Sequence, residues 1–213
     1  IQSMNILIFG KTGQLGEQLF VQAKNHKHSA IAFSHGELDI TDSKKVDQAI
    51  KSSRPEAVLN ATAYHVVPDC ETYPDQAFLV NAIAVRYLAE ICQNLNIRFI
   101  HYSTDYVFDG KKGSPYEEYD LPSPVQVYGI SKAAGEYMAT AYNPKSILIR
   151  TCGVYGGRKG SRSKKGNFPL NVLKEKNKET LEISSEQIVN PTYSVDLARA
   201  TYELIENKDV GGI

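Results

Sequence analysis

Five short apolar runs, separated by longer stretches with helical spacing, constrain the fold of this chain more than any other feature. Asn5–Phe9, Ala30–Phe33, Ala57–Asn60, Phe99–Ser103 and Ser146–Arg150 are rich in Ile, Leu, Val and Phe, and they are continuously apolar. A strand with one wet face alternates apolar and polar residues; a strand covered on both faces by helices has no reason to. Between the runs, Gln14–Lys27, Ser43–Ser53, Asp75–Asn94 and Tyr128–Tyr142 repeat apolar residues at helical intervals. Thr41-Asp42-Ser43 offers N-cap residues, Pro55 stops the second of these helices, and Pro74 stands where a first-turn proline is tolerated. Strand and helix in regular alternation predict an α/β fold, a doubly wound parallel sheet.

After about Thr151 the rhythm changes. A Gly- and Lys-rich stretch leads to a predicted helix (Phe168–Lys176), a short predicted strand (Leu181–Ile183) and a predicted helix (Ser194–Glu206). Residues 4–151 are therefore expected to form the sheet domain and 152–213 a smaller lobe, the chain returning to the first domain near 187–206. Gly211-Gly212-Ile213 reads as a turn entering a strand, so the lobe is expected to be partial. An apolar share of 42% is enough to build a core, which sets disorder aside. Lys plus Arg and Asp plus Glu are 24 each, a balance that argues against a general nucleic-acid binder. No apolar run reaches the roughly 18 residues that would span a bilayer. The N-terminus enters Ile6–Gly10 without a charged region and cleavage site, so no signal peptide is expected. Cys70, Cys92 and Cys152 are too scattered for a disulfide framework or a zinc site, which points to reduced thiols and a cytoplasmic setting.

Gly10-Lys11-Thr12-Gly13-Gln14-Leu15-Gly16 follows the first strand and opens the first helix. That is the context of a Rossmann-like dinucleotide loop. The first glycine permits the turn, the second lets main-chain N–H groups reach a pyrophosphate, and the third lets helix and strand pack closely. The second strand ends Phe33-Ser34-His35-Gly36, with no carboxylate at its tip, so a ribose 2′-phosphate is allowed there. Asp39 and Ile40, slightly later, are candidates for the adenine, with helix capping a competing role for the aspartate.

Tyr128 and Lys132 lie four apart in a predicted helix and share a face. A phenol has a pKa of about 10. An ammonium nearby stabilises the phenolate and pulls that value down, and a tyrosine so tuned can protonate a carbonyl oxygen as hydride reaches the carbon. Thr104, in His101-Tyr102-Ser103-Thr104-Asp105-Tyr106, runs off the carboxyl end of the fourth strand, where open α/β sheets bind ligands. Asn60-Ala61-Thr62-Ala63-Tyr64 leaves the third strand in the same way, with small residues that admit a cofactor.

Together, Gly10-x-x-Gly13-x-x-Gly16, Asn60-Ala61-Thr62-Ala63, Ser103-Thr104-Asp105-Tyr106-Val107-Phe108 and Tyr128-x-x-x-Lys132 resemble the extended short-chain dehydrogenase/reductases. The full glycine loop, the Ser-Thr-Asp-Tyr-Val-Phe run and Pro191-Thr192-Tyr193 narrow the resemblance to the dTDP-4-dehydrorhamnose reductase (RmlD-like) family, from Met4 onward. The resemblance implies hydride transfer from NADPH or NADH to the C4 ketone of a nucleotide-activated 4-keto-6-deoxy sugar. It implies Tyr128 as general acid, Lys132 on the nicotinamide ribose and Thr104 orienting the ketone. It puts Gly10, Gly13, Gln14, Leu15, Gly16, Asp39, Ile40, Ala61, Ala63, Tyr64 and Tyr102, with Tyr128 and Lys132, along the cofactor. It puts His65, Thr104, Asp105, Tyr106 and Gly153 at the sugar. No metal, nucleic acid or membrane is expected, and a homodimer is left open.

Two departures bear on the sugar. Where the family usually has an aspartate this chain has Pro68, after Ala63-Tyr64-His65-Val66-Val67; where it often has a tryptophan, this chain has Gly153. Sugar-nucleotide epimerases of the same superfamily, and a non-catalytic subunit like the regulatory β subunit of methionine adenosyltransferase, share the resemblance and remain alternatives. The basic run from Arg158 to Gly166 reads either as a solvated loop or as a lid offering cations to a diphosphate.

Overall fold

The structure, a computed structural model, describes residues 3–156, 166–183, 188–207 and 210–213. The basic run from Arg158 to Lys165 lies outside them.

Among the described residues, β1 (Asn5–Phe9), β2 (Ser29–Phe33), β3 (Ala57–Asn60), β4 (Arg98–Thr104) and β5 (Ile147–Thr151) form one sheet in the order β2-β1-β3-β4-β5. Every pairing in it is parallel. The expected doubly wound sheet is present, and the reason is visible along β1. Leu7 and Phe9 enter a core cluster on one face with Val46, Ile50, Val85 and Leu88. Ile6 and Ile8 enter a cluster on the other face with Leu15, Leu19, Ala198 and Tyr202. Alternate residues serve opposite layers, so continuous apolarity is what the strand requires.

The helices of the first face are α2 (Ser43–Ser53), α5 (Ala84–Asn94) and α6 (Val127–Tyr142), with the short α3 (Val67–Thr72) and α4 (Pro74–Phe78) packed against α6; α1 (Gln14–Asn25) and α8 (Ser194–Glu206) cover the second. Asp42 caps α2 by accepting from Lys45 N, and Arg54 ends it before Pro55. The helix expected over Asp75–Asn94 is interrupted: a π-helical turn, Leu79–Ile83, joins α4 to α5. After β5 come the two-residue strands β6 (Val154–Tyr155) and β7 (Thr192–Tyr193), paired in parallel, with α7 (Phe168–Lys174) between them. The strand expected at Leu181–Ile183 does not form. Its residues are irregular and both apolar ones are exposed, and among the described residues no neighbouring strand offers them a ladder. The chain returns to the sheet through α8. Tyr202 Oη donates to Leu19 O at 2.7 Å, and Glu206 accepts from His26 and His28 at 2.9 and 3.1 Å.

Candidate active site

The strand order reverses between β1 and β3, and that reversal opens a crevice at their carboxyl ends. Gly10 turns into it with φ +95°, a conformation that side chains rarely adopt. A Cβ on Gly10 would lie 2.7 Å from Ala61 O, and one on Gly16 would lie 2.0 Å from Gly10 O. The glycines thus bring three pieces of main chain together: the loop, the start of α1 and the end of β3. Gly13 caps α1 with no side-chain hydrogen bond, so the helix offers main-chain N–H groups and the positive end of its dipole. This cradle fits a dinucleotide pyrophosphate.

Other cofactor candidates divide. Ala63 and Tyr64 follow the carboxyl end of β3 and are half-buried. Leu15 and Ile40 are in the core, so only their main chain is available to a ligand. The Gln14 side chain is occupied, donating to Val154 O at 3.0 Å and accepting from Asn167 Nδ2 at 2.6 Å. Asp39 Oδ1 accepts from Thr41 N and Oγ1, both at 2.9 Å, which is a turn-forming role and not the N-cap. Tyr102 is turned away: its hydroxyl meets Thr201 Oγ1 at 2.9 Å under α8. The expectation of a tip without a carboxylate is corrected. Glu37 folds back onto the end of β2, its carboxylate accepting from Ser34 N at 2.8 Å and Ser34 Oγ at 2.7 Å, with Lys11 Nζ at 3.9 Å. Those bonds hold its pKa below the usual carboxylate value. Three residues of sequence separate it from the tip, so only the turn reveals it.

At the end of β4, Thr104 Oγ1 donates to Asp105 Oδ1 at 3.0 Å and accepts from Tyr106 N at 3.2 Å. Tyr106 stands edge-on to Tyr128, with ring centroids 5.6 Å apart. The first turn of α6 reaches this loop because position 129 is glycine: a Cβ there would be 2.1 Å from Tyr106 O. Gln126 and Glu71 fix the helix start by accepting from Gly129 N at 2.7 Å and Val127 N at 2.8 Å. Thr104 and Tyr128 are thereby brought side by side at the end of β4, close enough for the threonine hydroxyl to act on the phenol. His65, just beyond, is exposed, its ring 3.4 Å from Ala63 O. Among the described residues, Gly153 is exposed with nothing within 4 Å of where a Cβ would be.

Burial pushes the Tyr128 phenol up, with the neighbouring Thr104 hydroxyl acting in the opposite direction. The Lys132 side chain is itself buried, and desolvation lowers its pKa to about 7 against a smaller upward pull from Glu136. Tyr128 is therefore poised as a protonated acid.

Sequence reasoning missed Asn81, in the π-helical turn. Its Oδ1 accepts from Tyr64 N at 2.9 Å, and its Nδ2 donates to Tyr64 O at 2.9 Å and to Ser131 Oγ at 3.0 Å. This clasp fixes the main chain beside the cofactor crevice to the helix that carries Tyr128 and Lys132. A polar residue inside an apolar helical pattern was its one signal.

Residues 4–211 match the family described as RmlD substrate binding domain. The dTDP-4-dehydrorhamnose reductase of Aggregatibacter actinomycetemcomitans is 38% identical over 208 residues, covering 97% of this chain and 69% of that protein. Among solved structures, a dTDP-4-dehydrorhamnose reductase from Bacillus anthracis in complex with NADP superposes with a TM-score of 0.91 at 31% identity, covering 99% of this chain and 73% of that one. One from Clostridium acetobutylicum gives 0.89 at 34% identity, covering 98% and 72%.

Proposed function

The chain belongs to the RmlD substrate binding domain family, and from that premise we propose that it reduces the C4 ketone of a nucleotide-activated 4-keto-6-deoxy sugar, dTDP-4-dehydro-L-rhamnose to dTDP-L-rhamnose, in the cytoplasm. The observation that carries this reading is the Thr104–Tyr128 pair, placed at the carboxyl edge of the sheet beside an uncapped helix and its glycine loop. Bound NADPH or NADH supplies the hydride. The start of α1, with Gly13, Gln14 and Leu15, holds the pyrophosphate through main-chain N–H groups. Lys132 donates to the nicotinamide ribose. Thr104 turns its hydroxyl from Asp105 to the ketone oxygen and orients it. As hydride reaches C4, negative charge grows on that oxygen and Tyr128 gives it the phenolic proton. A phenol that burial keeps protonated suits this direction of reaction, because the group must begin as an acid. Asp105, Tyr106 and His65 line the approach to the sugar. The three free thiols are consistent with a reducing compartment.

Stoichiometry with C4-deuterated NADPH tests the reaction type. A reductase consumes one cofactor per sugar and leaves deuterium at C4 of the product. An epimerase recycles its cofactor, so product forming without net consumption would overturn the reading.

A further inference from the structure

One glutamine joins the glycine loop to the β6–α7 region. Gln14 is the first residue of α1, and its main-chain N–H belongs to the uncapped helix start that suits a pyrophosphate. Its side chain serves other partners. Gln14 Nε2 donates to Val154 O of β6 at 3.0 Å, and Gln14 Oε1 accepts from Asn167 Nδ2 at 2.6 Å. Asn167 is in turn the N-cap of α7, its Oδ1 accepting from Leu170 N at 3.0 Å. Gly166, with φ +68°, turns the chain into that cap. On its other side β6 is held by β7, where Val154 pairs with Thr192.

The direction of this chain of bonds is fixed from both ends. Val154 O can only accept, so Gln14 presents Nε2 to it and Oε1 to Asn167. Leu170 N can only donate, so Asn167 presents Oδ1 to it and Nδ2 to Gln14. The two assignments start at opposite ends and agree on the bond between the amides. An aspartate at 167 would cap α7 equally well but has no hydrogen for Gln14. Turning the Gln14 amide to serve it would set Oε1 against Val154 O, so one bond is lost either way.

We propose that Asn167 is a positioning residue: through Gln14 it ties the start of α7 and β6 to the cofactor loop, so that cofactor binding and ordering of the first turn of α7 reinforce each other. A pyrophosphate on the main chain of Gly13, Gln14 and Leu15 fixes the backbone from which the Gln14 side chain extends. That side chain then loses less freedom in making its two bonds to Val154 and Asn167. By reciprocity, a docked α7 holds the loop ready for the cofactor. The inference rests on the place of the pyrophosphate at α1 and is independent of which sugar is reduced.

Amide hydrogen exchange of the whole chain, with and without saturating NADPH, tests this. In wild type, NADPH should slow exchange of the Leu170 and Asn171 amides, which bond to Asn167, by about threefold or more. Asn167→Asp keeps the cap, and Gln14→Ala keeps the N–H groups of the loop; in both, NADPH should leave these rates unchanged. Dissociation constants for NADPH close a double-mutant cycle. Each variant should bind about threefold to tenfold more weakly than wild type, and the double variant no more weakly than the weaker single one. Repulsion between the new carboxylate and the pyrophosphate would instead add to the loss from Gln14→Ala. Unchanged exchange in NADPH-bound wild type, an equal response in the variants, or additive losses would overturn the proposal. A wild type that does not bind NADPH would remove the cofactor reading itself, and the proposal with it.

Discussion

The residues that carry local motifs were legible in the sequence. Thr104, Tyr128, Lys132 and the three glycines each sit where strand or helix spacing puts them. Residues whose role comes from chain folding back were not: Glu37 reaches Ser34 through a turn, and Asn81 reaches Tyr64 across the crevice. Glu37 yields a prediction. A carboxylate at the end of β2 repels a ribose 2′-phosphate, to an extent that solvent and salt screen. Glu37→Gln should shift the ratio of kcat/KM values toward NADPH over NADH by about threefold to tenfold; an unchanged ratio would place the 2′ position elsewhere. Gly153 yields another. Among the described residues nothing crowds its missing side chain, and its φ is not in the left-handed region. Gly153→Trp should fold normally and lower the sugar-nucleotide KM several-fold, the order of about 1 kcal/mol that an aromatic face contributes. A KM that does not move would remove Gly153 from the sugar site.

At the scale of elements, the strands were legible almost to their ends because a two-sided parallel sheet leaves one pattern open to them. The break between α4 and α5 was not. It depends on where α6 lies: a Cβ on Gly135 would be 2.1 Å from Asn81 O, so the π-helical turn and α6 touch through main chain. Helix propensity alone favours Gly135→Ala by about 1 kcal/mol. The clash is with backbone that cannot swing aside, and overpacking costs about 1–3 kcal/mol. Net destabilisation is expected in denaturant titration, together with loss of cofactor affinity as the Asn81–Tyr64 clasp shifts. A stabilised variant would show the approach to be looser than the geometry implies. The strand expected at Leu181–Ile183 illustrates the same limit from the other side: apolar β-formers make a strand only where a partner edge exists.

At the scale of the whole molecule, the sheet buries a lysine, and that choice has a signature in stability. The folded pKa of Lys132 is lowered to about 7 from an ordinary 10.5. Between those values the unfolded chain binds more protons than the folded one, so this residue makes stability rise with pH across that window; the destabilisation is complete below about 7 and gone above about 10.5. Lys132→Met should therefore be more stable than wild type near neutrality, with the difference shrinking as pH rises toward 10. Parallel melting curves check this, and a difference independent of pH would mean that Lys132 is charged in the fold. The return of α8 onto α1 and β4 belongs to this scale too, since Tyr202 and Glu206 close the second layer only after the chain has left the sheet and come back.

The reaction itself remains the most direct test. With NADPH and enzymatically generated dTDP-4-dehydro-L-rhamnose, loss of reduced-nicotinamide absorbance should be rapid for wild type. For Tyr128→Phe it should be slowed by about a hundredfold or more, with cofactor binding retained. Equal rates in the two proteins, or no oxidation by wild type that still binds NADPH, would contradict the assignment of Tyr128 as the acid of a sugar-nucleotide reductase.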